Sequence, residues 1–118
     1  NDSARYVRDF RTIRLNYGQR TGKTAYVREA AQPDDLIIVA NNELMAWYLE
    51  AGGPQCDITK VSTLIDDYFP MCKMKRYQRI WIDEVWDNYY SPLRTHERRL
   101  QFYQSMVHDV DQQFIILG

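Results

Sequence analysis

The stretch Gly18-Gln19-Arg20-Thr21-Gly22-Lys23-Thr24 decides the fold class of this chain. An apolar run, Thr12–Leu15, precedes it, and a run that favours a helix, Ala25–Ala31, follows it. Glycines let backbone N–H groups close around phosphate oxygens without Cβ clashes. A helix that begins at such a loop points the positive end of its dipole at the same anion. The stretch therefore predicts a phosphate-binding loop between a strand and a helix.

Two residues of the loop have predicted chemical roles. The ammonium group of Lys23 would reach the β- and γ-phosphates of a nucleotide, and the hydroxyl of Thr24 would bind Mg²⁺. The usual pattern places its first glycine where this chain has Tyr17, one position before Gly18. The alternative is a chance Gly-Lys-Thr in a turn, and the flanking strand and helix argue against it. Nucleotide contacts are expected from Gly18, Gln19, Arg20, Thr21, Gly22, Lys23 and Thr24.

The composition bounds the class of protein. The 118 residues, 45% hydrophobic and 26% charged, suit one soluble globular domain. The longest apolar runs fall far short of the roughly twenty residues of a membrane span, so no membrane partner is expected. The net charge of −1 gives no global attraction to nucleic acid, although a local basic patch stays open. Cys56 and Cys72 have no metal-ligand spacing, so a reducing cytoplasm is the simplest setting, with a disulfide left open.

Strands and helices are predicted to alternate along the chain. The apolar, β-branched run at 36–40 suits a buried parallel strand. After a polar lead-in over residues 1–11, the predicted strands are Thr12–Leu15, Leu36–Ala40, Asp57–Val61, Arg79–Ile82 and Gln113–Leu117. The predicted helices are Ala25–Ala31, Glu43–Ala51, Ser62–Phe69 with Ser62 as its cap, and Leu93–Asp109. This alternation predicts an α/β fold, a three-layer sandwich with a mainly parallel sheet.

A second motif, Ile80-Trp81-Ile82-Asp83-Glu84, would complete the nucleotide site. An apolar strand buried in a parallel sheet delivers carboxylates at its C-terminal end, where ligands of such sheets bind. Asp83 would hold the Mg²⁺ that bridges the β- and γ-phosphates. Glu84 would orient or deprotonate the attacking water. The alternative is a strand that simply ends in two exposed acids.

Together the two motifs resemble the Walker A and Walker B pair of P-loop NTPases. Glu84 beside Asp83 is similar to the additional-strand, catalytic-glutamate division, and the loop looks most like a superfamily 1 or 2 helicase nucleotide domain, often phage-encoded. The resemblance implies a RecA-like core with Gln113–Leu117 between the first strand and the Walker B strand. It implies ATP and Mg²⁺ as ligands, a single-stranded nucleic acid as partner, and a homo-oligomer or further domains. Such domains continue beyond the equivalent of Gly118, and the chain begins with Asn1, which favours a C-terminally truncated piece of a longer protein.

Several charged residues have both a functional and a plain interpretation. Arg94, Arg98 and Arg99 could supply an arginine finger to a neighbouring subunit, but a solvated helix face is the simpler interpretation. Asn41 and Asn42 follow the second strand and favour a helix cap over nucleic-acid contact.

A basic cluster, Lys73, Lys75 and Arg76 beside Tyr77, is a weak candidate for holding a single strand by charge and stacking.

The sequence thus predicts Mg²⁺-dependent ATP hydrolysis linked to nucleic-acid unwinding or translocation. The alternative is a non-hydrolysing nucleotide-binding scaffold or switch, favoured by Tyr17 and the early end of the chain. A small-molecule kinase is disfavoured, because Glu84 as a water-activating base fits it poorly.

Overall fold

The structure, a computed structural model, describes residues 2–15, 23–50, 53–67, 75–86 and 91–117. Five helices and five strands alternate along these residues. In chain order they are α1 Asp2–Phe10, β1 Thr12–Leu15, α2 Lys23–Ala30, β2 Leu36–Val39, α3 Asn42–Leu49, β3 Asp57–Lys60, α4 Val61–Asp67, β4 Arg79–Asp83, α5 His96–Met106 and β5 Gln113–Leu117. A short 3-10 turn, Pro92–Arg94, precedes α5.

The five strands form one sheet in the order β1-β5-β4-β2-β3, and every pairing is parallel. The predicted α/β class is confirmed, and β5 lies between β1 and β4 as expected. The register aligns the last residue of every strand in one row. That row is Leu15, Leu117, Asp83, Val39 and Lys60. All five strands therefore end in register along the carboxyl edge of the sheet.

Helices cover both faces of the sheet, as the predicted three layers require. On one face, which we call the first core, alternate strand residues such as Ile38, Ile82 and Phe114 pack with α1, α4 and α5. On the other, the second core, Ile37, Trp81 and their neighbours pack with α2 and α3. The chain moves outward through α2 and α3 on one face and returns through α4 and α5 on the other, as right-handed crossovers require.

Asp35 anchors the amino edge of the central strands. Its side chain is fully buried. It accepts hydrogen bonds from the Arg79 backbone N–H at 3.2 Å, from Arg79 Nε at 3.0 Å and from Trp81 Nε1 at 3.1 Å. The backbone N–H of Gln32 donates to it as well, at 2.9 Å. These bonds join the start of β2 to β4 and the end of the α2 segment, so the carboxylate fixes the register on which the opposite edge depends.

Several predicted helix boundaries differ from the structure, and two of the differences concern a cap. Ser62 does not cap α4, because the helix begins one residue earlier, at Val61, directly after β3. The helix predicted over Leu93–Asp109 is split at Thr95, whose extended backbone (ψ 148°) and side chain cap α5. Among the described helices none has the length and apolar character needed to cross a membrane.

Replacing Asp35 by Ala is expected to lower the free energy of unfolding by about 3–5 kcal/mol, because Arg79 and Trp81 lose a buried acceptor. Urea denaturation of the two proteins measures the difference. Asp9→Ala is the matched control, since Asp9 pairs only at the surface with Arg8 and the pair contributes about 0–1 kcal/mol. Equal losses for the two variants would contradict the role of Asp35.

Candidate nucleotide site

The elements on either side of the predicted phosphate loop are described by the structure. β1 ends at Leu15 and α2 begins at Lys23, so residues 16–22 must connect a strand end to a helix N-terminus. Gly18, Gln19, Arg20, Thr21 and Gly22 lie outside the described residues, and so does the side chain of Lys23. The first turn of α2 carries no acidic residue, so no side-chain charge there opposes an incoming anion.

Thr24 and Asp83, the two predicted Mg²⁺ ligands, meet through a third residue. The Tyr48 hydroxyl donates to Asp83 Oδ2 at 2.5 Å, and the Thr24 side chain lies near enough to the same hydroxyl to lower the pKa of Tyr48. Tyr48 and Asp83 are both fully buried, while Thr24 is half-buried. The second residue of α2 and the last residue of β4 thus both lie beside the Tyr48 hydroxyl.

Burial keeps Tyr48 a proton donor. Desolvation raises the pKa of Tyr48 far above its usual range, and the neighbouring Asp83 charge raises the pKa further. The hydrogen bond from Thr24 and the positive charge of Arg28 act in the opposite direction and are outweighed. The phenol therefore stays protonated at any physiological pH and orients one carboxylate oxygen permanently.

Glu84 is held in a strained backbone conformation directly after β4. Its φ is +59°, the left-handed region that a residue with a Cβ enters at a cost of about 1–2 kcal/mol. Its backbone N–H donates to the carbonyl of Leu117 at 3.1 Å, which holds the strained residue against the end of β5. Strain of this kind concentrates at functional sites. Glu84 directly follows Asp83, and its side chain is half-buried. The sequence predicts the water-activating carboxylate at this position.

The turn after Glu84 is anchored by Arg99 of α5. Arg99 donates to the carbonyl of Trp86 at 2.5 Å and to that of Leu93 at 2.7 Å, and its guanidinium lies 4.6 Å from the centre of the Trp86 ring. The Arg99 guanidinium is thus hydrogen-bonded within its own chain, which argues against Arg99 acting as an arginine finger. Arg98 is exposed and donates to Gln101 on the same helix, as a solvated helix face predicts.

The basic cluster near residue 75 lies at the wrong edge for the site, because it precedes the first residue of β4. Lys75 pairs with Asp57 at 3.3 Å, and Arg76 pairs with Asp109 at 2.6 Å. The Tyr77 ring is buried and its hydroxyl donates to Asp57, so the ring cannot stack on a base. Lys73 lies outside the described residues.

The two asparagines after β2 have the plainer of their two roles. The side chain of Asn41 accepts from the Leu44 backbone N–H at 2.9 Å and so caps α3, while Asn42 is the first residue of that helix.

The oxygen donors at this edge fit a magnesium ion that shares its coordination with phosphates. Within the described ranges no three His, Cys, Asp or Glu side chains come together. Mg²⁺ does not need such a cage, since it binds through one or two protein oxygens, water and substrate phosphates. A hydroxyl from Thr24 and a carboxylate from Asp83, both beside the Tyr48 hydroxyl, are a donor set of that kind.

Tyr48 is the site residue that the sequence alone did not reveal. It lies in an apolar helix, Glu43-Leu44-Met45-Ala46-Trp47-Tyr48-Leu49, where a tyrosine is expected to pack in the core. One signal could have identified it. Leu44 and Tyr48 are four residues apart and so share the buried face of α3, which places a hydroxyl over the carboxyl edge.

Comparison with protein-family models, curated proteins and solved structures returns no significant match. The candidate site therefore stands on its own geometry.

Replacing Tyr48 by Phe is expected to raise the Mg²⁺ concentration for half-maximal nucleotide binding by about 10–100-fold, because Asp83 loses the donor that orients it. Titration with Mg²⁺ at fixed ATP analogue, followed by fluorescence, measures the shift.

Tyr77→Phe is the matched control, since its hydroxyl also donates to a carboxylate, but at the opposite edge. An equal shift in both variants would show that the effect is general destabilisation. A lower Mg²⁺ requirement in Tyr48→Phe would mean that the hydroxyl competes with the ion.

Proposed function

We propose that this chain binds a nucleoside triphosphate with Mg²⁺, ATP being the expected nucleotide, and hydrolyses it as a P-loop NTPase with a RecA-like core. The hydrogen bond from Tyr48 to Asp83, with the Thr24 side chain beside the same hydroxyl, carries the proposal. This arrangement brings the helix after the glycine-rich loop to the end of the acidic strand. The level carboxyl edge and the position of β5 between β1 and β4 support the same assignment.

Binding would begin at the loop. Backbone N–H groups of 18–22 and the N-terminus of α2 would surround the phosphates, and Lys23 would add a mobile positive charge. Thr24 and Asp83 would hold Mg²⁺, which when bound neutralises charge on the β- and γ-phosphates. Tyr48 would keep Asp83 Oδ2 oriented throughout, because its own proton stays in place.

Glu84 would act on water. A carboxylate beside the metal ligand can accept a proton from a water molecule in line with the γ-phosphate. The left-handed backbone of Glu84 and its bond to Leu117 fix where this side chain leaves the chain, directly after Asp83.

Coupling to nucleic acid is the further part of the proposal and rests on analogy. The two motifs resemble helicase nucleotide domains, so unwinding or translocation along a single strand is the expected task, with a homo-oligomer or further domains as partners. Fold alone does not fix such a task. The cytoplasmic setting suggested by two cysteines without metal-ligand spacing also stays a prediction.

Phosphate release from ATP tests the proposed function directly. Wild-type protein should release phosphate in Mg²⁺, with or without stimulation by single-stranded DNA. Lys23→Ala should weaken both binding and hydrolysis, whereas Glu84→Gln should still bind a nucleotide but lose about 100-fold or more in turnover, the contribution of a positioned base. Equal activity in all three proteins would remove the assigned site.

Substitutions of Glu84 should affect stability and activity differently. Glu84→Gly is expected to unfold with a free energy about 1 kcal/mol higher than Glu84→Gln, because glycine adopts a positive φ without strain. Both variants should be inactive. Paired urea denaturation and phosphate-release assays measure the two quantities. If Glu84→Gln were the more stable variant, the backbone strain assigned to this residue would be wrong.

A non-hydrolysing switch is the second candidate, and one observation favours it. The Tyr48 hydroxyl lies between Thr24 and Asp83, where an ion would have to share or displace it. In a switch the protein would bind nucleotide weakly, and Tyr48→Phe would strengthen binding without producing turnover.

A further inference from the structure

A basic groove lies on the face of the sheet opposite α2 and α3. Between α1, α5 and the edge of β1 and β5 there is a cavity of about 340 Å³. Arg8, Arg14, Arg99 and His96 line it, and Asp9, which pairs with Arg8 at 3.0 Å, is not among its described lining residues. A second cavity of about 120 Å³ shares Arg8 and adds Arg5. Four arginines thus lie along one groove of a chain whose net charge is −1.

The arginines reach the groove from three separate elements. Arg5 and Arg8 are three residues apart and share one side of α1, while Arg14 projects from the edge strand β1 on the same face as Thr12. Arg99 lines the wall from α5, where its guanidinium is already bonded to the carbonyls of Leu93 and Trp86. The positive charges of Arg8, Arg14 and Arg99 each act to lower the pKa of Tyr103, against the larger effect of its burial.

Aromatic rings form the floor of the groove, but these rings are buried. Trp86 and Tyr103 are 6% and 4% exposed, and their rings pack on each other at 5.8 Å between centroids. Neither ring can receive a base. A ligand would meet guanidinium groups first, and guanidinium forks match the paired oxygens of phosphate better than they match single charges.

We propose that this groove binds the phosphodiester backbone of a single-stranded nucleic acid. Two adjoining cavities that share Arg8 suit a ligand with repeated phosphates rather than one isolated anion. The concave shape suits a flexible strand whose phosphates can enter the recess, whereas a stiff duplex would meet only the rim. Because the aromatic rings are buried and cannot stack on bases, recognition would go through phosphate and would be independent of base sequence.

The groove also touches the proposed hydrolytic site. Arg99 on its wall donates to the carbonyl of Trp86, two residues after the strained Glu84. A strand in the groove would therefore lie next to the turn that positions the proposed base. Binding itself requires no nucleotide, so it can be tested without assuming hydrolysis.

Fluorescence anisotropy with a labelled thymidine oligonucleotide of about 15 nucleotides tests the groove, since binding sites on single strands cover about 4–16 nucleotides. The wild-type affinity should fall with salt, with a slope of about −0.7 for each phosphate contact on a logarithmic plot. Arg8→Gln and Arg14→Gln should each remove about 0.7 from the slope and weaken binding about fivefold at 0.1 M salt, and the double variant about 25-fold.

Lys75→Gln is the matched control, because it removes the same charge at the amino edge of β4 and should leave affinity within about twofold. Unchanged affinity and salt slope in the double variant would overturn the proposal. Two competitors would also overturn it. Displacement of the oligonucleotide by pyrophosphate at equal phosphate concentration would indicate a small-anion site. Displacement by polyglutamate at equal carboxylate concentration would indicate a site for an acidic protein. A matching oligoribonucleotide distinguishes RNA from DNA as the preferred strand.

The test of strand binding and the test of ATP hydrolysis can fail independently of each other. Lys23→Ala should bind the oligonucleotide as wild type does, whatever its ATPase activity. Loss of ATPase with intact strand binding would sink the hydrolase alone, and loss of strand binding in Arg8→Gln/Arg14→Gln with intact phosphate release would leave the hydrolase standing.

Discussion

Parallel pairing in a single register determines what this chain can do. It brings the C-terminal residue of every strand to one edge, so that the connection after β1, the carboxylate of Asp83 and the strained Glu84 share one level. A shift of β4 by one residue would turn Asp83 from the α2–α3 face to the opposite face and separate it from Tyr48. The proposed site is thus a property of the register and not of the individual motifs.

Two buried carboxylates show how differently such a group can be used. Asp35, at the amino edge, receives four hydrogen bonds from backbone and side-chain donors that belong to the fold. Asp83, at the carboxyl edge, accepts a hydrogen bond from the Tyr48 hydroxyl, which lies beside Thr24. The bonds to Asp35 hold elements of the fold together and leave nothing for a ligand to exchange. The Thr24 hydroxyl is half-buried at the start of α2, where a ligand could reach it. Stability and the proposed binding thus belong to opposite ends of the same strands.

Local patterns in the sequence carried most of the fold. β1 and β5 begin and end where their sequence runs predict. For β5 the reason is that a strand buried on both faces needs a continuous apolar stretch. The break at Thr95 was missed, since a threonine cap inside a helical pattern looks like any surface residue. Tyr48 and the arginine groove were missed for another reason. Arg5, Arg8, Arg14 and Arg99 are scattered in sequence and converge only after the sheet has formed, whereas the contiguous cluster at 75–76 is paired with acids that are remote in sequence.

The position of β1 has a consequence for synthesis of the chain on the ribosome. Within the described sheet, the only strand that pairs with β1 is β5, which is the last strand to be made. A nascent chain can assemble β2, β3 and β4 with their helices, while the first strand and the loop that follows it have no neighbour to pair with. Contacts that span nearly the whole chain form slowly, because a large loop must close first. The candidate site would therefore be completed late, when β5 enters the sheet between β1 and β4.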